Sequence, residues 1–353
     1  MADIKRKLAT IQTIKELKPI EGADLIELAT FTSVGWQCVV GKKDKLLPGD
    51  RVVYFEVDSV LNVEDPRFNF LEAVKGRIKT RRFKGVYSQG LALPLLSFPE
   101  IFGDIIGSRS ETRRLEIQFP DGYDVTDVLK VIKYEIPEFS STAGDIKGAF
   151  PGYAEKSDEE RGQNFSNLDQ LLSEHEWDIT IKMDGTSGTF YFRNNEFGVC
   201  SRNYELKETD SNAHWKIAKQ YKIEERLRAY GLNLALQGEV CGPGINGNHI
   251  GLTGPRLFIF TIQDLDKNER LSKKQMDSVI EDLNILVGGP ELESVPVLTG
   301  FQKPKTLEDL IALSDGTFIV TDKVREGIVL RATDNPRVSF KIINPRYLIK
   351  HDL

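Results

Sequence analysis

Hydrophobic and polar positions alternate over short stretches in residues 1–135, which is the pattern of half-buried β-strands. The stretches are rich in β-branched and aromatic residues, and clusters of Pro, Gly, Asp and Asn separate them as turns. Several short strands at this spacing, with few helical patterns, predict a small β-barrel of about five strands. The predicted strands include LIELATF (25–31), WQCVVG (36–41), DRVVYFEV (50–57) and RIKTRRFKG (77–85).

The pattern changes after a stretch rich in Pro, Gly, Ser and charge at 136–165, which we interpret as a linker. From residue 166 onward, segments with helical spacing are interleaved irregularly with β-rich segments. Residues 166–353 are therefore expected to form a second domain of the α+β class. Helices are predicted at 167–176, 212–231 and 272–285, with three strands in 177–203 and further strands at 234–242, 256–266 and 327–333.

The composition is that of an ordinary globular protein, since 40% of the 353 residues are hydrophobic and 28% are charged. No run approaches the ~20 apolar residues of a membrane span, and the first residues lack an apolar signal segment, so we expect a soluble intracellular protein. The three cysteines and four histidines are too scattered for a disulfide framework or a zinc site. A bound metal is therefore expected to be a hard cation held by carboxylates.

The net charge of −6 conceals a strongly basic stretch, KGRIKTRRFK, at 75–84. Bases recur there at every second position, so in an extended chain they share one face with Phe83. Such a stripe is typical of contacts with nucleic-acid phosphates, although a solvated basic strand shows the same pattern. The candidate nucleic-acid-binding residues are Lys75, Arg77, Lys79 and Arg81.

The glycine-rich segment GPGING (242–247) formally fits a dinucleotide-binding pattern. Pro243 and the residues after Gly247 make a poor start for the helix that such a motif needs, so we interpret the segment as a glycine-rich surface turn. The chain has no GxxxxGK[ST] loop either. Neither common nucleotide-binding loop is present.

A second set of residues carries a stronger signal. IKMDGTSG places Lys182 at the end of an apolar strand and Asp184 in the following turn, where a lysine either reaches into a cleft or extends to solvent. Charged and aromatic residues follow on or beside later strands, and the set is more specific than any member alone. The others are Arg202 in SRN, Glu239 in GEVCG, Phe258 and Phe260 in LFIF, Glu326 in EGIV and Lys341 in FKI.

In this order, these segments resemble the motifs of the covalent nucleotidyltransferase superfamily of ATP-dependent ligases and mRNA capping enzymes. KMDGTSGTFYF, QGEVCGPGINGN, REGIVLR and SFKIINPRYLIK are similar to the Deinococcus-type RNA ligases, which seal nicks that have a 3′-OH end. The stretch from IEGADLIELATF to GDRVVYFEVDSVL resembles the N-terminal module of that family. The resemblance implies an OB-fold β-barrel followed by a nucleotidyltransferase (ligase/ATP-grasp-like) domain built on antiparallel sheets.

The resemblance also implies the reaction. Lys182 attacks the α-phosphate of ATP to form a lysyl-AMP, the AMP passes to the 5′-phosphate of a nick, and the RNA 3′-OH displaces it. Because the lysine amine has a reference pKa of about 10.4, we expect a divalent cation and the neighbouring Lys341 to lower the pKa of Lys182. The implied cofactors are ATP and Mg²⁺ or Mn²⁺, and we expect a monomer that acts on nicked duplexes in RNA repair.

Individual roles follow from the same resemblance. Asp184, Glu239 and Glu326 are the candidate metal-binding carboxylates, either directly or through water. Phe260 is expected to stack on adenine, with Phe258 as the alternative. Arg161 and Arg202 are expected at either the triphosphate or the nick. The candidate nucleotide-binding residues are Lys182, Arg161, Arg202, Glu239, Phe260 and Lys341.

Two other functions stay open: a capping-type guanylyltransferase, and a non-catalytic nucleic-acid-binding protein with an OB module. The DGTSG tail lacks the arginine that capping enzymes and DNA ligases carry after the first motif, and few residues follow Lys341, so we expect no C-terminal OB domain. Position 343 is Ile where many relatives have a second lysine, so only Lys341 is carried over. The retained lysines and carboxylates argue against a silent binding protein. The template type and the preferred metal stay open.

Overall fold

The computed structural model describes residues 6–102, 119–134 and 144–353, and the chain divides into two compact units. The segment expected to be a linker contributes residues 144–161 to the second unit, where part of it forms strands. The first unit comprises Met1–Ile136, Gly162–Leu168 and Leu348–Leu353, and the second comprises Pro137–Arg161 and Asp169–Tyr347.

Short strands dominate the first unit, and the run VVYF in one of them has buried side chains on both faces. Val53 and Phe55 pack in one apolar cluster, whereas Val52 and Tyr54 pack in another, as alternation along a strand requires. The described strands are β1 (Ala9–Pro19), β2 (Ile26–Phe31), β3 (Gln37–Gly41), β4 (Arg51–Phe55), β5 (Ser59–Val60), β6 (Thr80–Phe83), β7 (Val86–Gln89), β8 (Leu91–Pro94), β9 (Tyr123–Asp124) and β10 (Ile132–Lys133).

The main sheet of the first unit has the strand order β3-β2-β1-β4-β8, with β9 also pairing β1. An irregularity between Ile14 and Glu16 divides the long strand β1, so that its first part pairs β4 and β9 and most of its second part pairs β2. A bulge of this kind bends a strand and increases its twist. The bend lets one strand serve two parts of the predicted barrel.

The second unit contains two sheets and several short helices. Its described strands are β11 (Ile146–Ala149), β12 (Glu160–Arg161), β13 (Trp177–Lys182), β14 (Thr186–Arg193), β15 (Glu196–Cys200), β16 (Tyr204–Leu206), β17 (Leu234–Cys241), β18 (Arg256–Asp264), β19 (Glu269–Arg270), β20 (Glu293–Ser294), β21 (Gly327–Ala332) and β22 (Ser339–Ile343). The described α-helices, which belong to this unit except for Leu168 and residues 348–350, are α1 (Leu168–Glu174), α2 (Ala213–Gln220), α3 (Ile223–Tyr230), α4 (Lys273–Leu286), α5 (Leu307–Ser314) and α6 (Pro345–Lys350).

The larger sheet of the second unit has the order β11-β16-β15-β14-β17-β18-β19, with β20 beside β18, and the smaller has the order β12-β22-β21-β13. All pairs are antiparallel except the short pairs β12–β22 and β18–β20. The consecutive strands β13 and β14 lie in different sheets. The turn at 183–185 therefore connects the two sheets next to Lys182.

The helices predicted at 167–176 and 272–285 are present as α1 and α4, whereas no sequence pattern predicted α5 or α6. The single helix predicted at 212–231 is wrong, because Lys222 adopts the left-handed conformation (φ 50°) and separates α2 from α3. By contrast, α4 begins at a capping box formed by Ser272 and Gln275, which satisfies two free backbone N–H groups. In the described ranges, no helix combines the length and the apolar character that crossing a membrane requires.

Candidate active site

Lys182 is the last residue of β13, and the chain turns directly after it against β17. A Cβ atom built on Gly185 would lie 2.3 Å from the carbonyl oxygen of Val240, which is closer than real side chains approach a backbone. Only glycine therefore lets the turn approach β17 this closely. The K-x-D-G spacing brings Lys182 and Asp184 next to the strand that carries Glu239.

Glu326 is the direct partner of Lys182. Its Oε2 accepts a hydrogen bond of 2.8 Å from the Lys182 ammonium. Glu326 stands immediately before β21, in which Gly327 pairs with Lys182 across the ladder. A Cβ on Gly327 would lie 2.2 Å from the carbonyl oxygen of Ile342, so this position also requires glycine. The EG sequence before an apolar strand thus sets a carboxylate beside the lysine.

Three carboxylates determine the charge state of Lys182. Burial lowers the pKa of Lys182, but the negative charges of Glu326, Glu239 and Asp184 outweigh burial and raise the pKa above its ordinary value. The expectation that Lys341 helps to lower this pKa is therefore not met by the protein groups alone. The site holds Lys182 as an ammonium ion.

The carboxylates are themselves perturbed. Burial raises the pKa of Asp184 to about 6 and that of Glu239 to about 8, and repulsion from Glu326 adds to both increases. Three carboxylates around one ammonium leave surplus negative charge, which a bound cation would offset. These groups therefore fit a divalent cation.

The geometry also indicates how such a cation would be held. Within the described residues, the buried Oδ2 of Asp184 accepts no hydrogen bond, although His249 Nδ1 lies 3.2 Å from it. The described ranges contain no cluster of three or more His, Cys, Asp or Glu side chains that forms a ready metal cage. Mg²⁺ usually keeps several water ligands and binds few protein carboxylates beside substrate phosphates. Asp184, Glu239 and Glu326 fit that kind of site.

A basic group lies on the smaller sheet. Lys341 is in β22, and Arg161 in the short strand β12 is its register partner. The exposed carboxylate of Asp158 contacts both Lys341 Nζ at 3.1 Å and an Arg202 guanidinium nitrogen at 2.6 Å. Burial lowers the pKa of Lys341, and the charges of Lys182 and Arg161 act in the same direction against Asp158. The second unit thus contains the three basic residues that were predicted to bind the nucleotide in addition to Lys182. Asp158 pairs with two of them, Lys341 and Arg202.

The two candidate aromatic residues of β18 differ in accessibility. Phe258 is completely buried in an apolar cluster with Ile181 and Phe318. Phe260 is partly buried at the edge of that cluster, and the ladder to β17 shifts register at this position. Both rings lie against the same apolar cluster, whereas Ile259 between them packs in another cluster, so Phe258 and Phe260 share one face of β18. Phe260 is the ring that remains available for stacking.

The structure adds three side chains that the sequence patterns did not identify: Asp158, His249 and Tyr347. Tyr347 is fully buried in α6 and hydrogen-bonds to Asp184, while His249 Nδ1 lies 3.0 Å from the Tyr347 hydroxyl oxygen. The histidine lies beyond the turn that was interpreted as a plain surface loop. The only sequence signal for it was the run of glycines and asparagines that precedes it.

The basic stretch of the first unit is extended over a shorter range than expected. Lys75 adopts a left-handed conformation (φ 52°) and β6 begins only at Thr80, so the four bases do not lie along one continuous strand. Three of them have acidic partners in the same unit. Arg77 contacts Asp58 at 3.0 Å, while Lys79 and Arg81 contact Asp352 at 2.8 and 2.9 Å.

Comparison with known proteins assigns the family. The sequence profile of the RNA ligase family matches residues 175–343, and that of an OB-fold domain matches residues 8–95. A solved structure of a mutant Naegleria gruberi RNA ligase with AMP and Mn is 36% identical, covers 98% of this chain and 99% of its own, and superposes with a TM-score of 0.85. The chain belongs to the RNA ligase family.

Other solved structures agree with this assignment. A mutant Naegleria gruberi RNA ligase with ATP and Mn gives 36% identity, the same coverage of 98% and 99%, and a TM-score of 0.84. The Naegleria gruberi RNA ligase with PPi gives 36% identity, 98% and 99% coverage, and a TM-score of 0.82. No curated protein sequence matches the chain. The predicted α+β fold, the OB module and the assignment as an RNA ligase enzyme are confirmed.

Proposed function

We propose that this chain joins a 3′-OH RNA end to a 5′-phosphate end at nicks in duplex nucleic acid, using ATP and a lysyl-AMP intermediate. The observation that carries the proposal is the position of Lys182, bonded to Glu326 at 2.8 Å and surrounded by Asp184 and Glu239 in the unit that also holds Lys341. RNA ligase relatives solved with ATP or AMP and Mn support the choice of nucleotide and metal.

In the first step, the neutral amine of Lys182 attacks the α-phosphorus of ATP. A P–N bond forms, the bond from the α-phosphorus to the bridging oxygen breaks, and pyrophosphate leaves with the electron pair. Lys182 must first lose a proton, which the surrounding carboxylates oppose because they stabilise its ammonium form. Lys341 is suited to stabilise the negative charge that develops on the phosphate oxygens.

In the second step, an oxygen of the 5′-phosphate attacks the same phosphorus, the P–N bond breaks, and Lys182 recovers a proton. In the third step, the RNA 3′-OH attacks the 5′-phosphate and releases AMP while its own proton leaves. Each step exchanges one bond to phosphorus for another, so the protein contributes mainly positioning and charge. Glu326 is suited to hold Lys182 in place between turnovers.

The remaining residues bind the nucleotide and the cation. Phe260 stacks on adenine, Arg161 and Arg202 contact the triphosphate or the 5′-phosphate of the nick, and Glu239 contacts the ribose or the cation. Asp184 and Glu326 complete the cation site. When bound, a divalent cation supplies positive charge that offsets the carboxylates and neutralises phosphate oxygens.

The first unit is proposed to bind the duplex. Lys75, Arg77, Lys79 and Arg81 are suited to phosphate contacts, which position a nick without reading its sequence. Such contacts make affinity fall as salt increases. The predicted monomeric state stays a prediction.

The deciding experiment is labelling with α-³²P-ATP and, separately, α-³²P-GTP, in Mg²⁺ or Mn²⁺, followed by denaturing electrophoresis. The protein is first freed of bound AMP by treatment with pyrophosphate. We expect an acid-labile label from ATP alone, lost in Lys182→Ala and retained in Lys219→Ala, which removes a surface lysine of α2. Label from GTP would favour a capping enzyme, and no label from either nucleotide would favour a non-catalytic binding protein.

The substrate is tested separately, with nicked duplexes that differ only in the terminal nucleotide on the 3′-OH side. We expect sealing when that nucleotide is RNA and little sealing when it is DNA. RNA and DNA template strands are compared in parallel. Efficient sealing of single strands, with none at nicks, would contradict the nick-sealing proposal but leave the lysyl-AMP chemistry intact.

A further inference from the structure

The loop between β17 and β18 is attached to the turn that follows Lys182. The Asn246 side-chain amide donates a hydrogen bond to the carbonyl oxygen of Gly185. Asn248 closes the loop on itself, since its amide donates to the Leu252 carbonyl at 2.8 Å and its oxygen accepts from the Leu252 N–H at 3.0 Å. The glycine-rich segment is therefore a fixed part of the active-site wall.

This loop brings His249 to Asp184. His249 Nδ1 lies 3.2 Å from Oδ2 of Asp184 and 3.0 Å from the hydroxyl oxygen of Tyr347. The Tyr347 hydroxyl also hydrogen-bonds to the Asp184 carboxylate. The three side chains come from the Lys182 turn, the β17–β18 loop and α6, so they join three separate parts of the second unit.

The number of protons available on each side chain determines which group donates in these hydrogen bonds. A tyrosine hydroxyl has one proton to donate, and an ionised carboxylate only accepts. Because Tyr347 donates to Asp184, the nearby Nδ1 of His249 must carry the proton that is shared with the tyrosine oxygen. The protonated Nδ1 is then a donor next to both the Tyr347 oxygen, at 3.0 Å, and Oδ2 of Asp184, at 3.2 Å.

We propose that His249 and Tyr347 are positioning residues that hold the Asp184 carboxylate in one orientation for the divalent cation beside Lys182. Side chains that hydrogen-bond to metal-binding groups orient them, and their loss typically reduces metal affinity by about 10–100-fold. This inference rests on the proposed assignment of Asp184 to the cation. It gives the β17–β18 loop a role in the reaction, although none of its residues is assigned to substrate.

The test measures Mn²⁺ binding directly, using the electron paramagnetic resonance signal of free Mn²⁺ during titration of the full chain saturated with AMP. The half-saturating Mn²⁺ concentration for lysyl-AMP formation is measured on the same proteins. The variants are Tyr347→Phe, which removes only the hydroxyl, and the pair His249→Ala and His249→Asn. Tyr230→Phe in α3 and His175→Gln, whose ring bonds to Asp334, are the matched controls.

We expect Tyr347→Phe and His249→Ala to weaken Mn²⁺ binding at least ~10-fold. We also expect His249→Asn to recover part of the loss, because its amide can donate near the position of Nδ1. The controls should bind as wild type does. In an Asp184→Asn background, Tyr347→Phe should add little further loss, since it acts through a carboxylate that is no longer there.

Three results would overturn the proposal. If Tyr347→Phe and His249→Ala bind Mn²⁺ as tightly as wild type and only melt at a lower temperature, the two residues stabilise the fold and do not position Asp184. Full additivity with Asp184→Asn would show that the two residues act elsewhere. If the wild-type protein makes lysyl-AMP but binds no Mn²⁺ in its AMP complex, Asp184 does not hold a cation in that complex. Failure of wild type to form lysyl-AMP would instead refute the proposed function, so the two failures are distinguishable.

Discussion

The second unit holds two lysines whose surroundings have opposite effects. The side chains of Lys182 and Lys341 are 24% and 20% exposed, so burial disfavours the charged form of both. Nevertheless, the pKa of Lys182 is raised and the pKa of Lys341 is lowered. The difference lies in the neighbours, because three carboxylates surround Lys182, whereas the two carboxylates near Lys341, Asp158 and Glu159, are opposed by the charges of Lys182 and Arg161.

In the proposed reaction, Lys182 is the nucleophile, whereas Lys341 supplies positive charge. Three carboxylates hold Lys182 as an ammonium ion, and their negative charge must be offset before the amine can attack ATP. Lys341 is proposed to act through its positive charge alone, and its partner Asp158 is 54% exposed, so a phosphate could take its place. Variants at the two positions should therefore fail in different ways.

The largest effect is expected from replacing each lysine by arginine. Arginine keeps the positive charge but does not deprotonate in proteins, so Lys182→Arg should form no detectable lysyl-AMP. Lys341→Arg should retain a measurable rate, whereas Lys341→Ala should lose about 10²–10³-fold, as removal of a charge-stabilising group typically does. Single-turnover labelling with α-³²P-ATP measures both.

Lys219→Arg is the matched control and should label as wild type does. If Lys341→Arg were as inactive as Lys182→Arg, the role of Lys341 would depend on its proton or its shape rather than its charge. That result would end the distinction between the two lysines.

The second prediction concerns the surplus of carboxylates. Because the pKa of Glu239 is raised to about 8 in the folded protein, the folded state holds this proton more tightly than the unfolded state does. The free energy of unfolding therefore falls as pH rises from about 4.5 to about 8. Glu239→Gln cannot ionise and so avoids this fall in the free energy of unfolding. At pH 8.5 the variant should therefore raise the melting temperature of the metal-free protein by a few degrees, since about 1 kcal/mol corresponds to about 2–4 °C.

At pH 5, where the Glu239 carboxyl is protonated in the folded state, the same variant should change the melting temperature little. Glu308→Gln, on the surface of α5, is the control and should show no such pH dependence. A melting temperature for Glu239→Gln that is lower than wild type at pH 8.5 would mean that the carboxylate contributes more by holding Lys182 than it costs by repulsion.

Much of the site could be predicted because its residues occupy the ends of strands. Lys182, Glu326 and Lys341 stand at or in apolar strands, and Gly185 and Gly327 mark the two close approaches that bring those strands together. The pattern of apolar runs therefore predicts both the sheets and the edge at which the chemistry lies.

What the sequence patterns missed depends on irregular backbone. Lys222 breaks a helix by adopting a left-handed conformation that any local propensity disfavours for lysine. The ladder between β17 and β18 shifts register opposite Gln237, and the loop before His249 is attached to the turn after Lys182 by the side-chain amide of Asn246. Such features arise from tertiary contacts and leave no periodic signal in the chain.

A smaller effect is expected at the aspartate that pairs with the basic group. Asp158→Asn removes the carboxylate that pairs with Lys341 and Arg202. A nucleotide phosphate then no longer competes with that carboxylate for the two basic side chains. We expect the KM for ATP in lysyl-AMP formation to fall about 2–5-fold, because exposed ion pairs contribute up to about 1 kcal/mol. Asp322→Asn, at an exposed position, is the control. A higher KM would mean that Asp158 orients the cations for the nucleotide.

An effect of similar size is expected in the first unit, where Asp352 contacts both Lys79 and Arg81, just as Asp158 contacts both Lys341 and Arg202. Asp352→Asn should increase affinity for a nicked duplex about 2–5-fold at low salt, since it leaves two cations for phosphate contacts. Replacing Lys79 or Arg81 by alanine should instead reduce the slope of log affinity against log salt by about 1.

Affinity is measured by fluorescence anisotropy over a range of salt concentrations, with Asp24→Asn, an exposed aspartate of the same unit, as the control. Asp352 and Asp158 are comparable, because both are more than half exposed and each pairs with basic side chains that are proposed to bind phosphates. If Asp352→Asn weakened duplex binding, Asp352 would be needed to hold Lys79 and Arg81 in position. The basic pair would then be preorganised by its acidic partner, whereas Lys341 would merely be covered by Asp158.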